Sequence, residues 1–136
     1  MAKILVVEDH ADTANALVRL LTSFGHRAVA VPDAVGAVEW MSDRNADLVI
    51  TDMMMPGDMD GLGLVRFIRR EPRLNKVPVV IFTAITNDEF GNYAQSVGAT
   101  AVWFKLHFDY SSLSNRIDVI LQANQNALSP SVAAGN

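Results

Sequence analysis

Cysteine is absent from the 136 residues of this chain, which excludes disulfides, thiolate nucleophiles and cysteine-ligated metals, and fits a reducing compartment. Basic residues are also in deficit. Eleven lysines and arginines face 15 aspartates and glutamates, a formal net charge of -4, so no overall positive field attracts nucleic acid or anionic lipid. Long apolar runs are missing as well. The stretch Ile4-Leu5-Val6-Val7 meets Glu8 and Asp9 immediately, too short for a signal-peptide core or a membrane span. These absences predict a cytoplasmic protein that binds neither membrane nor nucleic acid. The three histidines, His10, His26 and His107, share no ligand spacing and read as surface or loop residues.

What is present is an ordinary globular composition, half hydrophobic and 19% charged, at a length suited to one domain that buries about two thirds of its unfolded surface. The domain is expected over residues 1–125, with 126–136 a flexible tail or truncated linker of Ser, Pro, Ala and Gly. Continuous apolar runs at Ile4–Val7, Leu48–Thr51, Val77–Phe82 and Ala101–Phe104 predict strands buried on both faces, and Arg27–Val31 is a weaker candidate. Between them, Ala14, Leu17, Leu21 and Phe24 keep helical spacing and precede Gly25, predicting a helix over about 12–24 with a glycine cap. Helical patterns recur around Ala37–Met41, Leu64–Ile68, Phe90–Val97 and Leu113–Leu121. Alternating strands and helices with short connections imply an α/β fold, a doubly wound five-stranded parallel sheet with helices on both faces.

Ligand sites in such folds lie beyond the carboxyl ends of the strands. There the sequence places Glu8-Asp9 after the first strand, Asp52 after the third, Thr83 at the end of the fourth and Lys105 after the fifth. Buried strands that end in acids, a hydroxyl and an amine are not a packing pattern. Three gathered carboxylates repel one another and call for a cation, and an all-oxygen donor set favours Mg²⁺, with Mn²⁺ possible. Glu8, Asp9, Asp52 and the backbone carbonyl of Met54 are the candidate ligands. A carboxylate can be a covalent nucleophile in phosphoryl transfer, which makes Asp52 the candidate acceptor, with Lys105 and Thr83 each bonding a phosphoryl oxygen. For Asp12 the helix-capping reading wins. For Thr83 a local backbone bond is the competing reading, and for Lys105 a resting ion pair with Asp52 is compatible with a catalytic role. Met53, Met54 and Met55 read as gap fillers, and Trp40 as a partly exposed or packing residue.

The segment Asp47-Leu-Val-Ile-Thr-Asp52-Met-Met-Met-Pro56, then Met59-Asp60-Gly61, then Val77-Pro-Val-Val-Ile-Phe-Thr83-Ala84 and Gly98-Ala99, resembles the receiver domains of two-component response regulators. The resemblance implies a flavodoxin-like strand order 2-1-3-4-5. It also implies an aspartyl phosphate at Asp52, Mg²⁺ at Glu8 and Asp9, Thr83 as switch hydroxyl and Lys105 as the motif's lysine. The implied phosphodonor is a histidine kinase or histidine phosphotransfer protein. The implied output is an unknown downstream protein, bound by a monomer or a phosphorylation-dependent dimer, and Phe90, Tyr93 and Trp103 read either as core or, some of them, as the output surface. Against the family pattern, Leu106 follows Lys105 where a proline is usual, Val102 stands where an aromatic is common, and Gly57-Asp58 lengthens the loop before Met59. Met54 and Ile85, by resemblance, flank the phosphoryl group and should obstruct the attacking water.

A degenerate receiver, acting as a phosphorylation-independent interaction module, is the alternative that Val102 and Leu106 motivate. A haloacid-dehalogenase-type phosphatase would need a second acid where Met54 stands. An FMN carrier would need a phosphate-binding loop where Glu8 and Asp9 would repel phosphate.

Overall fold

The computed structural model describes residues 1–128. Five strands alternate with five helices: β1 (Lys3–Val7), α1 (Ala11–Ser23), β2 (Arg27–Val31), α2 (Ala34–Met41), β3 (Leu48–Thr51), α3 (Gly61–Arg70), β4 (Val79–Thr83), α4 (Asp88–Val97), β5 (Ala101–Phe104) and α5 (Leu113–Leu128), with a 3₁₀ turn at Tyr110–Ser112. The strands are all parallel, in the order β2-β1-β3-β4-β5, as the resemblance implied.

Every residue of β3 and β4 is buried, because helices cover both faces of the central strands, and this is why they read as unbroken apolar runs. On one face Leu5, Val7, Val49, Val79 and Ile81 pack against α2, α3 and α4 through Ala37, Leu64, Val65 and Ala94. On the other, Ile4, Val6, Leu48, Ile50, Val80, Phe82 and Trp103 pack against Leu17 and Leu21 of α1 and Leu113 and Ile117 of α5. Strand β2 lies at the sheet's edge and leaves Arg27, Val29 and Ala30 exposed, so its sequence signal is weak.

Polar side chains start three of the helices. Asp33 accepts the Gly36 N–H, Asp60 the Gly63 N–H and Asn87 the Glu89 N–H, each at 2.8 Å, satisfying donors that have no partner within the helix. Helix α1 differs from expectation: its N-cap is His10, whose side chain makes no capping bond, and Asp12 lies inside the first turn, where only the helix dipole favours it. Gly25 follows α1 at φ 91°, the left-handed conformation that suits glycine after a helix.

Two boundaries also move. Strand β4 begins at Val79, since Pro78 has no N–H for the ladder, although its carbonyl still accepts the Val49 N–H at 3.0 Å. Helix α5 continues through Leu128, so the first three residues of the expected tail are helical, and the rest of that tail, 129–136, lies outside the described residues. No helix among the described residues is long and apolar enough to cross a membrane.

Gly61 opens α3 against the strand end that carries Asp52. A Cβ there would lie 2.5 Å from the Asp52 carbonyl oxygen and 2.8 Å from the Met53 Cα, backbone atoms that cannot turn aside. At Gly91 in α4 the nearest atoms would be at ordinary contact distance, 3.6 Å and 3.9 Å. In urea unfolding, Gly61→Ala should therefore lose about 2–3 kcal/mol, whereas Gly91→Ala should gain about 0.5–1 kcal/mol from reduced unfolded-chain entropy. Equal effects at the two positions would contradict this packing.

Candidate functional site

Parallel register brings the polar strand ends together. Val7 pairs with Thr51 and Thr83 with Phe104, so Glu8, Asp52 and Lys105 each emerge one residue beyond aligned positions. Backbone bonds extend the ladder through them: the Asp52 N–H donates to Val7 at 2.9 Å, the Glu8 N–H to Val31 at 3.0 Å and the Lys105 N–H to Thr83 at 2.7 Å.

Glu8 and Asp52 are buried, an unfavourable environment for carboxylates unless each finds partners. The Lys105 ammonium meets both. It donates to Glu8 Oε1 at 2.6 Å and lies 3.3 Å from Asp52 Oδ2, with its side chain 23% exposed. Burial pulls its pKa down, but the hydrogen bond to Glu8 and the charges of Asp52 and Glu8 together outweigh burial and raise it above the ordinary lysine range. The resting ion pair with Asp52 anticipated from the sequence is therefore present, but the shorter contact is to Glu8. That link joins residues 97 apart in the chain, and no local pattern could announce it.

The Met53 N–H donates to Asp52 Oδ1 at 2.7 Å. One carboxylate oxygen is thus held by the backbone while the other faces Lys105. Met54 follows, 66% exposed and so not the gap filler the sequence suggested, and among the described residues no hydrogen bond falls on its carbonyl oxygen. Met55 packs at the edge of the core, in keeping with the gap-filling role, and Met53 is buried within it.

Glu8, Asp9 and His10 form a group whose ligand atoms all lie within 4.8 Å of one another. Asp52 stands outside this group and reaches it through the Lys105 ammonium. His10 is a surface residue as expected, 75% exposed, yet its Nδ1 is 3.5 Å from Glu8 Oε2 and 3.6 Å from Asp9 Oδ1. The sequence adjacency Glu8-Asp9-His10 was the available signal for this placement.

Thr83 is fully buried, and its Oγ1 accepts the Ile85 N–H at 3.1 Å. The local backbone bond weighed from the sequence therefore exists, and it leaves the hydroxyl proton free to be donated elsewhere. Among the described residues no hydrogen bond links Thr83 to Asp52.

Strand β5 explains the displaced aromatics. Val102 and Phe104 face α4, where they are the nearest side chains to Gly91, while Trp103 points to the opposite face and is core. The aromatic beside Thr83 on the α4 side is therefore Phe104, its register partner. Of the candidates for an output surface, Tyr93 is exposed and hydrogen-bonded to Arg66, Phe90 is half-buried and Trp103 is buried. Trp40 is half-buried beneath Arg44, as a packing residue should be. The residue after Lys105, Leu106, is exposed, and His107 takes a left-handed φ of 59° to turn the loop.

Comparison with known proteins adds independent findings. The profile of the response regulator receiver domain matches residues 4–118. The chain is 32% identical over 133 residues to the two-component response regulator PhoP of Pseudomonas aeruginosa, covering 98% of this chain and 57% of PhoP. It is 35% identical over 83 residues to the chemotaxis protein CheY of the same organism, covering 60% of this chain and 66% of CheY. The chain thus spans little more than half the length of PhoP. Among solved structures, the receiver domain of a signal transduction histidine kinase from Syntrophus aciditrophicus superposes with a TM-score of 0.81 at 28% identity, covering 90% of this chain and 92% of that one.

The raised pKa of Lys105 fixes a sign. A cationic group whose pKa is higher folded than unfolded stabilises the fold fully below the unfolded value and loses that contribution as pH rises through the folded value. The stability gap between the wild type and Lys105→Met, followed by chemical unfolding, should stay flat from neutral pH up to the ordinary lysine range and narrow above it. A gap that closes near neutral pH would contradict the bridge.

Proposed function

The chain belongs to the response regulator receiver domain family, and from that premise we propose that it is a phosphorylation-controlled switch of two-component signalling in the cytoplasm. Asp52 accepts a phosphoryl group from a histidine kinase or histidine phosphotransfer protein, and the change alters a surface read by a downstream protein. The chain catalyses only its own phosphorylation and dephosphorylation and is not a metabolic enzyme. The observation that carries this reading is a buried carboxylate with one oxygen fixed by a backbone N–H and the other beside a lysine ammonium.

The donor set suits a hard divalent cation. Carboxylate oxygens of Glu8 and Asp9 already converge, and the site sets three carboxyl groups, Glu8, Asp9 and Asp52, against the one ammonium of Lys105. Glu8, Asp9, Asp52 and the Met54 carbonyl would hold Mg²⁺, or Mn²⁺. When bound, the ion supplies positive charge that offsets the phosphoryl oxygens.

In the transfer, an Asp52 oxygen attacks phosphorus of the donor's phosphohistidine. The new O–P bond forms as the N–P bond breaks, and the departing imidazole nitrogen takes up a proton from water. Lys105, an ammonium at neutral pH as lysines ordinarily are, donates to a phosphoryl oxygen. Thr83 donates its spare hydroxyl proton to another. Because Oγ1 of Thr83 is tied to Ile85, that movement pulls on the loop into α4, which is a route from local charge to surface change.

Incubation of the full chain with acetyl phosphate and Mg²⁺, read by intact mass, should give one acid-labile adduct on the wild type and none on Asp52→Asn. Followed after donor removal, Met54→Asn should lose the adduct faster than the wild type, since an exposed methionine beside the acceptor obstructs water and an amide does not. A wild type without an adduct would leave the phosphorylation-independent module as the reading. Equal or slower loss from Met54→Asn would remove the role given to Met54.

A further inference from the structure

The Lys105 ammonium is not surrounded by acids alone. Its Nζ lies 5.7 Å from the centroid of the Phe82 ring, within the range of a cation–π contact, while Glu8 and Asp52 approach it from elsewhere. Phe82 is buried in β4, one residue before Thr83, and its side chain belongs to the opposite face of the sheet, that of α1 and α5.

The ring is itself held in place. Phe108 meets it edge-on at 4.9 Å between centroids, and Trp103 and Tyr110 make further edge contacts at 6.4 Å and 6.2 Å. Phe108 lies in the loop that follows Lys105, and its N–H donates to the Lys105 carbonyl at 3.2 Å, while the Lys105 N–H donates to Thr83 at 2.7 Å. Ring and lysine are therefore parts of one packed unit. Leu106 contributes little to it, since it is exposed.

We infer that Phe82 is a positioning residue: its ring face holds the Lys105 ammonium within reach of Asp52 for phosphoryl transfer. This inference rests on the proposed function. An aromatic face suits the task because it attracts a cation without offering a hydrogen-bond acceptor. A third carboxylate in its place would bind the ammonium and compete with the phosphoryl oxygen, and an aliphatic side chain would fill the space without attracting charge. Against the ring, the ammonium can exchange Glu8 for a phosphoryl oxygen while keeping one fixed neighbour. Holding a charged donor where negative charge develops is a rate effect, since the geometry is set before the reaction begins.

The test compares Phe82→Leu, Phe82→Tyr, Lys105→Met and the Phe82→Leu/Lys105→Met double variant in the full chain, with unchanged circular dichroism as the check on folding. Phe82 lines a cavity of about 460 Å³ together with Asp12 and Tyr110. Phosphorylation by acetyl phosphate with Mg²⁺ should slow about fivefold in Phe82→Leu and stay within about twofold of wild type in Phe82→Tyr. Phe82→Leu should add nothing in the Lys105→Met background, because the ring would then have no ammonium to hold. An unchanged rate in Phe82→Leu, or the same slowing with and without Lys105, would overturn the assignment, the latter because a merely structural role acts through both backgrounds. Proton NMR of the Lys105 side chain decides the point without phosphorylation: wild-type Cε methylene protons should be shifted upfield by the ring current and return to ordinary lysine values in Phe82→Leu. Absence of that shift in the wild type would overturn the inference. If the wild type takes no phosphoryl adduct, the proposed function fails and the NMR result still judges the contact.

Discussion

Everything at the top of this sheet depends on one cation among three acids. Glu8 and Asp52 are buried, Asp9 stands beside Glu8, and Lys105 reaches across from the fifth strand to bridge the first two. Without the ammonium, the domain would hold buried like charges with no counterion, an arrangement that proteins avoid by protonation or by losing stability. With it, three acids still face one ammonium, an excess of formal negative charge that the proposed divalent cation would offset. Structure and the proposed chemistry are coupled through the same residue: Lys105 steadies the resting acids and, in the proposed switch, would bond the phosphoryl group on Asp52.

The fold makes this possible by register. Parallel strands end on one side, and the order β2-β1-β3-β4-β5 puts β1 and β3 together at the centre, so Glu8 and Asp52 are neighbours by backbone pairing before any side chain chooses a partner. Gly61 lets α3 start against the Asp52 backbone, and its N–H donates to the Met53 carbonyl at 2.9 Å, closing the loop that follows Asp52. On β5 the alternation of faces sends Trp103 into the core with α5 and turns Phe104 toward α4 beside Thr83.

Much of this was legible in the sequence. Buried strands announce themselves as apolar runs, and polar residues at their ends were visible as departures from that pattern, so Glu8, Asp9, Asp52, Thr83 and Lys105 could be named by position alone. What could not be read were distances between strand ends far apart in the chain. The preference of Lys105 for Glu8 over Asp52, the seat of Phe82 beneath that lysine and the position of Asp52 outside the acidic group all arise from three-dimensional register. Asp12 lies in the first turn of α1 rather than at its cap, because a helix start shifts by a residue or two without changing composition, and α5 runs on through Leu128 with no sequence signal to separate its last turn from a tail.

In the proposed switch, Asp52 is the residue that takes the phosphoryl group. Borohydride reduces an acyl phosphate on aspartate to homoserine, and peptide mapping of the reduced, phosphorylated full chain locates it. Homoserine at position 52 and at no other carboxylate is the predicted result. Reduction at Glu8 or Asp9, or a phosphoryl group recovered on His10 with Asp52 unmodified, would contradict it.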